Sequence, residues 1–479
     1  MPPTTSSEDD WANWGDPHAL STLNLPAPPS VLSTSASFTS SVACASPISS
    51  VASENVPGLY TIDLSLPPAQ RYVKVAQDFK HIIEDLVNIF DELLDSVGLP
   101  KKMFHLIARC ILRKLYSKEQ TEELKGIGKA TGVPMYLLVA YNVLLDLFMG
   151  CTSGGVMVKE GREREGRMMH FRTLDWGMPA LRKAVVLLEF RNGADGEVIA
   201  RSINYVGFVG TLTGVRKGLS VSLNFRPYHN DDGSKWANVK FYSHLLFVLL
   251  AWRPSICAHL RDLIIPTGKD LEKRRVEIKK EEDKRSDKRP SKYKYAHGSL
   301  ADIGRDFPSI PTTAAYLTFS DGSQTLILEK DRVTAKPLLS SSFIAVTNHD
   351  TSYEPPSIPT SSLDSTTSAS QAHAAHAKAH QIGTDMDVLV DESMERKGCV
   401  TSAWEEHCNS GKTMDGDTWT PSVELEKLKE WLLKYPVVNE QTHFVAVMDP
   451  TEGVFRWVRA YEEGEIENED EEDWSDMSA

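Results

Sequence analysis

The 479-residue sequence has few cysteines, and their arrangement is not typical of a metal site or a disulfide framework. The six are Cys44, Cys110, Cys151, Cys257, Cys399 and Cys408. They are scattered, with no C-x-x-C pair and no Cys/His spacing of the zinc-binding kind. We therefore predict no metal ion and no disulfide scaffold, while a single Cys399–Cys408 bridge is left open. No organic cofactor is implied.

Long apolar runs, a basic excess and glycosylation sequons are also missing. No apolar run reaches the roughly 18 residues of a membrane-spanning helix. The net charge of -14 argues against a nucleic-acid-binding role, which calls for a basic face. The N-terminus is acidic, whereas a signal peptide begins with a basic and then an apolar region. We predict a cytoplasmic protein, or a lysosomal or vacuolar one if the start is mis-assigned.

Helical and strand patterns are present in an order that predicts an α+β fold. Three- and four-residue spacing of apolar side chains predicts helices at 79–93, 101–116, 119–131, 134–149, 239–263 and 422–434. Short alternating runs bounded by turn signals predict strands at 56–64, 168–173, 185–190, 198–202, 210–213, 219–223, 315–319, 325–329, 343–347, 443–448 and 453–458.

Four stretches have compositions that do not favour a packed core. Residues 1–54 are rich in Ser, Thr, Pro and Ala, and the tail 466–479 is acidic, so we predict that both are disordered. An insert near 266–300 is dense in Lys, Arg and Glu. A second insert, 353–381, carries His373, His376 and His380, and we interpret it as a linker rather than a metal site.

The chain is best understood from the pair Gly150–Cys151, where an apolar run ends and a cysteine follows. A mid-chain thiol has no built-in base, and a buried structural cysteine is the commoner fate of this residue type. Cleavage of the Gly150–Cys151 bond would create an α-amine with a pKa of about 8, which can take the thiol proton. Glycine before the cysteine leaves the bond sterically open for that attack.

Several motifs, in a fixed order, resemble those of one enzyme family. They are Tyr60 to Pro68, Lys125-Gly126-Ile127, Asn142 to Phe148 with Cys151-Thr152-Ser153, Arg172-Thr173-Leu174-Asp175, Tyr205 to Gly214, and Val346 to Asp350. From Val56 to about Gly464 the chain resembles the acid ceramidase and N-acylethanolamine acid amidase family of N-terminal-nucleophile hydrolases, with more likeness to the ceramidase branch. The resemblance implies a four-layer αββα sandwich, with 55–150 as a helical α-subunit and 151–465 as the catalytic β-subunit.

The resemblance also implies roles for individual residues. Cys151 matches the nucleophile and the new N-terminus after self-cleavage at Gly150. Arg172 matches a cation beside the thiol, and Asp175 matches the carboxylate that holds the α-amine; because they lie three apart, we expect only one to face the site directly. Asn348 matches the donor to the oxyanion, and Arg396 resembles a later site arginine.

One departure from the family pattern concerns the substrate-binding residues. Where the ceramidase branch has Asn-Glu-Arg, this chain has Asn224-Phe225-Arg226. We predict that Asn224 and Phe225 contact the substrate. The loss of the glutamate puts self-cleavage and turnover in question.

The function indicated by these residues is self-cleavage followed by hydrolysis of ceramide to a sphingoid base and a fatty acid. The alternatives are an N-acylethanolamine or other linear-amide hydrolase, a cysteine protease with His349 as base, and a non-catalytic lipid-binding protein. The basic helix 101–116 would suit a membrane surface or a lipid-presenting activator protein, although a core-facing helix fits its pattern better. We expect the two chains to stay associated after cleavage.

Overall fold

The computed structural model describes residues 55–85, 91, 100–144, 150–161, 166–193, 195–229, 236–265, 299–354, 384–411 and 421–466. The part before Gly150 contains one strand and six helices within these ranges. They are β1 (Leu59–Asp63), α1 (Pro68–Arg71), α2 (Val73–Asp78), α3 (Lys80–Glu84), α4 (Lys101–Ile111), α5 (Lys118–Thr131) and α6 (Met135–Leu144). α5 begins at a serine cap, since Ser117 Oγ accepts from the Gln120 N–H, and ends at Gly132, whose φ of 87° suits glycine.

The part from Gly150 onward contains the remaining twelve described strands. They are β2 (Gly150–Val158), β3 (Arg167–Asp175), β4 (Val185–Arg191), β5 (Val198–Tyr205), β6 (Thr213–Arg216), β7 (Leu219–Phe225), β8 (Ala315–Ser320), β9 (Thr325–Lys330), β10 (Ala335–Ser340), β11 (Phe343–Val346), β12 (Thr442–Asp449) and β13 (Val454–Ala460). Its helices are α7 (Ala237–Leu249), α8 (Ile256–Ile264), α9 (Leu300–Asp306), α10 (Thr384–Gly411) and α11 (Leu425–Leu432), with short 3-10 helices at Pro179–Ala184, Phe307–Ser309 and Thr351–Tyr353.

The strands form two sheets that pack face to face. The larger sheet has the order β1-β4-β5-β6-β7-β8-β9-β10, and the smaller has the order β11-β2-β3-β12-β13. Neighbouring strands are antiparallel except β1 and β4, which are parallel. Helices α8 and α9 pack on the larger sheet, and α10 packs on β2 and β11 of the smaller one. The four-layer αββα order is therefore confirmed.

The space between the sheets is unusually polar, whereas the outer face of the smaller sheet is apolar and aromatic. Between the sheets, His170 of β3 lies within hydrogen-bond distance of Ser220 and Ser222 of β7. On the outer face, the rings of Phe171, Phe343 and Trp404 stack in series. The polar layer is where the candidate catalytic side chains lie.

Most of the predicted elements are confirmed, with shifts and omissions. The predicted strand 210–213 is wrong, because the strand begins only at Thr213, and the helix predicted for 101–116 ends at Ile111. The strands β2 and β10 and the 28-residue helix α10 were not predicted. Residues 1–54, the tail beyond 466 and almost all of both inserts, including the three histidines, lie outside the described residues.

Two further features bear on the sequence expectations. Cys399 and Cys408 lie on α10 and are not joined by a disulfide; nine residues of helix separate their Cα atoms by roughly 14 Å, too far for such a bond. Within the described ranges, no helix combines the length and the apolarity that crossing a bilayer requires.

Candidate active site

Cys151 is the second residue of β2, at the edge of the polar layer. In the pairing of β2 with β3, Cys151 lies opposite Leu174, and Gly150 lies opposite Asp175. The Cys151 side chain is fully buried. The pairing thus fixes the Gly150–Cys151 bond against the end of β3, where the two charged residues expected at the site are located.

Arg172 approaches Cys151 from between the sheets. Its fully buried guanidinium donates from Nη1 to Ser153 Oγ at 3.1 Å and to Asn224 Oδ1. Burial, the largest effect, raises the pKa of the Cys151 thiol, and the nearby positive charge of Arg172 opposes that rise. In the uncut chain the thiol is therefore held protonated, with a cation beside it that favours the thiolate.

Asp175 lies on the other side of the same strand. Its Oδ1 accepts from Thr442 Oγ1 at 2.7 Å, and its Oδ2 lies 3.8 Å from Nε of Arg396. Burial raises the pKa of this carboxyl, and the charge of Arg396 opposes the rise. The odd spacing of Arg172 and Asp175 does place them on opposite faces of β3, yet both lie beside Cys151. Arg172 lies near its thiol, and Asp175 lies near the backbone of Gly150.

Asn348 follows β11 and connects the site to α10. Its Oδ1 accepts from the Cys151 backbone N–H at 2.8 Å and from Nη2 of Arg396 at 3.0 Å. Its Nδ2 donates to the backbone carbonyl of Phe225 at 2.7 Å. The structure thus brings Cys151, Arg172, Asp175, Asn348 and Arg396 together, each of them nearly or fully buried.

Asn224 links the two sheets at this point. Its Nδ2 donates to the carbonyls of Val346 and Thr347 at 3.1 Å and approaches that of Cys151 at 3.5 Å. Asn224 is fully buried and Phe225 is 9% exposed. These contacts indicate that Asn224 holds the parts of the site together. The contact of Asn224 and Phe225 with a substrate stays a prediction.

His349 faces away from the position that a cysteine protease would require. Its Nδ1 lies 2.8 Å from Ser393 Oγ and 3.2 Å from Thr347 Oγ1, and its Nε2 lies 3.6 Å from Glu354 Oε1. These contacts hold the ring against α10. The arrangement disfavours His349 as the base for Cys151.

Sequence reasoning missed three polar residues that support the site. Thr442 holds Asp175, Ser153 bridges Arg172 and Asn224, and Ser393 contacts the backbone of Asn348. Ser153 belongs to the motif Cys151-Thr152-Ser153, so the sequence could have identified it. Ser393 lies three residues before Arg396, and that spacing would have been informative had α10 been predicted.

Comparisons with known proteins show similarity to amide hydrolases. A family model described as the beta subunit of N-acylethanolamine-hydrolyzing acid amidase matches residues 55–115, within the segment predicted above as the α-subunit. The acid ceramidases of Heterocephalus glaber and Homo sapiens are each 27% identical over 184 residues, and that of Bos taurus is 30% identical over 188. Each alignment covers 35% of this chain and 45% of the relative, so the chain spans about half the length of the curated relatives it matches.

A solved structure gives a looser match. The Caenorhabditis elegans N-acylethanolamine-hydrolyzing acid amidase (NAAA) ortholog superposes with a TM-score of 0.38 at 15% identity, covering 65% of this chain and 100% of that one. By these sequence matches, part of the chain is similar to the acid ceramidases and to the beta subunit of N-acylethanolamine-hydrolyzing acid amidase.

Proposed function

We propose that this chain is a self-cleaving cysteine amidase that hydrolyses the amide bond of ceramide to a sphingoid base and a fatty acid. The observation that carries the proposal is the arrangement of charged and polar side chains around the Gly150–Cys151 bond. Arg172 lies on the thiol side, while Asp175 and the pair Asn348–Arg396 lie on the backbone side. A buried structural cysteine would not need a cation, a carboxylate and an amide arranged around it.

Self-cleavage begins at the Cys151 thiol. Its sulfur adds to the Gly150 carbonyl carbon, the C–N bond breaks, and the nitrogen of Cys151 receives the proton, which leaves Gly150 as a thioester on the sulfur. Water then hydrolyses the thioester, so Gly150 ends as a carboxylate and Cys151 as a free N-terminus. Asn348, already bonded to the Cys151 nitrogen, holds that nitrogen in place throughout.

Amide hydrolysis uses the new α-amine. The amine takes the thiol proton, the thiolate adds to the substrate carbonyl, and Asn348 donates to the resulting oxyanion. The amine then returns the proton to the departing nitrogen, which leaves as the sphingoid base. Water, deprotonated by the same amine, releases the fatty acid from the thioester and restores the thiol. Asp175 carries the charge that keeps the α-amine oriented.

The two chains would remain associated after the cut. Strand β1 pairs with β4 along its whole length, and Asn142 of α6 both donates to the Gly207 carbonyl at 2.9 Å and accepts from the Val209 N–H at 2.8 Å. These bonds join residues on either side of Gly150 without depending on the cleaved peptide. We propose that they keep the α-subunit on the β-subunit.

A lipid substrate must leave a membrane or a carrier to reach this site. Helices α4 and α7 both pack on α6, the helix that precedes Gly150, and both expose large apolar side chains. The exposed residues are Met103, Leu106, Ile107, Val239, Tyr242 and Leu246. We propose that these two faces contact a membrane surface or a lipid-presenting activator protein. The cellular compartment stays a prediction.

The deciding experiment is intact mass and N-terminal sequencing of the purified protein beside Cys151→Ala. We expect two wild-type chains, one beginning Cys151-Thr152-Ser153, and one uncut chain in the variant. A wild type that stays uncut even after mild acidification removes the α-amine from the mechanism and would refute the proposal. That outcome would favour a lipid-binding protein that kept the fold. The replacement of the glutamate by Phe225 would be the first explanation to test for the loss of self-cleavage.

A second substrate is favoured by the family model that matches, whose description names N-acylethanolamine rather than ceramide. The self-cut enzyme should be given ceramide and an N-acylethanolamine of the same acyl chain, with release of sphingosine and of ethanolamine measured side by side. Faster sphingosine release supports the ceramidase assignment. Faster ethanolamine release replaces it with the linear-amide alternative.

A further inference from the structure

Residues 347–349, which present Asn348 to Cys151, are contacted at three points by one serine of α10. Ser393 is fully buried, and its hydroxyl lies within hydrogen-bond distance of three atoms of that segment. The distances are 2.6 Å to the Asn348 nitrogen, 2.8 Å to Thr347 Oγ1 and 2.8 Å to His349 Nδ1. The Ser393 carbonyl also accepts from Thr347 Oγ1 at 2.9 Å.

This use of a mid-helix serine is not the ordinary one. A serine inside a helix usually faces solvent or bonds back to the carbonyl four residues earlier. A hydroxyl has one donor and two acceptor positions, and the contacts on 347–349 match that number. The backbone N–H of Asn348 is one of the donors. Ser393 thus fixes the direction in which Asn348 leaves the end of β11.

The same face of α10 holds the Asn348 side chain. Arg396 lies one turn after Ser393 and donates to Asn348 Oδ1 at 3.0 Å. Lys397 pairs with Glu354, which lies five residues beyond His349. Residues three and four apart lie on one face of a helix. Backbone and side chain of Asn348 are therefore both set by the position of one helix face.

From these contacts we infer that Ser393 is a positioning residue of the amidase, which acts through Asn348 by fixing where its amide meets the nucleophile and the oxyanion. The inference rests on the proposed function, because Asn348 must act on the reacting carbonyl for its position to matter. It predicts an effect on turnover rather than on substrate binding, since Ser393 is buried behind Asn348. Errors of about 1 Å in such a group can lower rates by roughly 10²-fold.

The test compares Ser393→Ala with Ser202→Ala. Ser202 is a fully buried serine of β5 whose hydroxyl has no hydrogen-bond partner among the described residues, so its loss should be silent. With a fluorogenic fatty-acyl amide, Ser393→Ala should lower kcat by roughly 10- to 100-fold, leave KM within about twofold, and slow self-cleavage by a similar factor. Ser202→Ala should leave all three within about twofold.

A second measurement needs no turnover. Hydrogen exchange of the peptide 343–354 should be faster in Ser393→Ala, because the Asn348 amide loses its acceptor, and unchanged in Ser202→Ala. Unchanged exchange in Ser393→Ala overturns the inference, as does faster exchange with kcat and self-cleavage like wild type. A wild type that neither cuts itself nor hydrolyses the amide refutes the proposed function instead, while the exchange data still report whether Ser393 holds Asn348.

Discussion

At Cys151, two opposing influences act on one thiol. Burial raises its pKa, and the guanidinium of Arg172, held in place by Asn224 and Ser153, lowers it. A reactive cysteine needs the nearby positive charge to outweigh the effect of burial, so that its pKa falls. The proposed self-cleavage would supply a base for the thiol proton by adding an amine to the same residue.

The charge of Arg172 can be tested by its removal. Arg172→Gln should raise the pKa of Cys151 further, so the pH at which kcat/KM reaches half its maximum should move to higher pH, with activity at pH 7 reduced by roughly 10²-fold. The measurement is the pH profile of amide hydrolysis. Arg201→Gln, which removes a cation bonded to Glu189 and the Gly453 carbonyl, is the control and should not move the profile. An unmoved midpoint in Arg172→Gln would contradict this account.

The residues that lie together around Cys151 could be predicted from sequence, but their arrangement around the Gly150–Cys151 bond could not. The motifs around Cys151, Arg172, Asp175 and Asn348 are contiguous and keep their order. What sequence does not contain is the pairing of Gly150 with Asp175, which decides that the carboxylate lies by the backbone and the cation by the thiol. Nor does it show that the Asn224 amide, on the larger sheet, forms hydrogen bonds with Ser153 and Val346 of the smaller sheet.

Among the elements, β2 is the one most tightly confined. A Cβ on Gly154 would lie 2.1 Å from the carbonyl oxygen of Ile344 in the paired strand, and one on Gly155 would lie 1.9 Å from Thr325 Oγ1 in the opposite sheet. The two glycines therefore allow β2 to approach β11 on one side and the larger sheet on the other. The same residues explain why β2 was not predicted, since adjacent glycines are typical of turns.

Confinement of β2 predicts a large effect from one methyl group. Gly154→Ala should lower the free energy of unfolding by about 3 kcal/mol, because the clash is with backbone that cannot rotate away. Urea denaturation would measure it. Gly177→Ala is the matched control, as its Cβ would come no nearer than 4.0 Å to any atom, and it should change stability by less than about 0.5 kcal/mol. Equal effects of the two substitutions would show that β2 is not confined in this way.

Helix α10 was missed for a different reason. Its sequence carries acidic, hydroxyl and apolar residues without a clean three- and four-residue period, because one face binds the polar segment after β11. Polar residues that serve a site weaken the apolar pattern by which helices are recognised. Arg396 was accordingly assigned from a loose resemblance alone.

For the molecule as a whole, a buried ionic cluster joins the parts of the chain before and after Gly150. Glu123 of α5 is 1% exposed and accepts from Arg261 of α8 at 2.5 and 2.7 Å and from Arg71 at 3.1 Å. Arg261 also donates to the Val209 carbonyl at 2.6 Å. The cluster joins a helix of the proposed α-subunit to a helix of the proposed β-subunit.

Neutralising this cluster should separate the cut chains. Glu123→Gln leaves Arg261 buried with less compensation, which typically costs about 3–5 kcal/mol. Size-exclusion chromatography of the cut protein at decreasing concentration should therefore show dissociation at higher concentration than in wild type. Glu122→Gln, on the same helix but in an exposed pair with Lys125, should behave like wild type. Dissociation that is the same in all three proteins would count against the cluster.

Four buried histidines set the response of the folded protein to acid. Burial lowers the pKa of His170, His259 and His443 to about 3 and that of His244 to about 4. Between those values and about 6.5, the unfolded chain binds protons that the folded chain does not. Their contribution to stability is therefore nearly complete at pH 7.5, begins to decline near pH 6.5 and falls steadily below it, each histidine then costing roughly 1 kcal/mol per pH unit.

Urea midpoints measured at pH 7.5, 6.5, 5.5 and 4.5 should accordingly fall slightly between the first two values and steeply over the last two. A stability that is constant down to pH 4.5 would contradict the prediction. The result also bears on compartment, because a protein that loses stability in this range is poorly suited to acidic surroundings unless a bound partner compensates.

The pairing of β1 with β4 has a consequence for the history of each molecule. Before the cut, β1 finds β4 within one chain, and folding is a first-order process. After the proposed cut, the same pairing would join two polypeptides, so the rate of recovery from unfolding would depend on the product of two small concentrations. Each molecule would then fold once as a single chain, with both parts supplied in equal number by one translation product, and its later lifetime would be set by how slowly it comes apart rather than by any return to equilibrium.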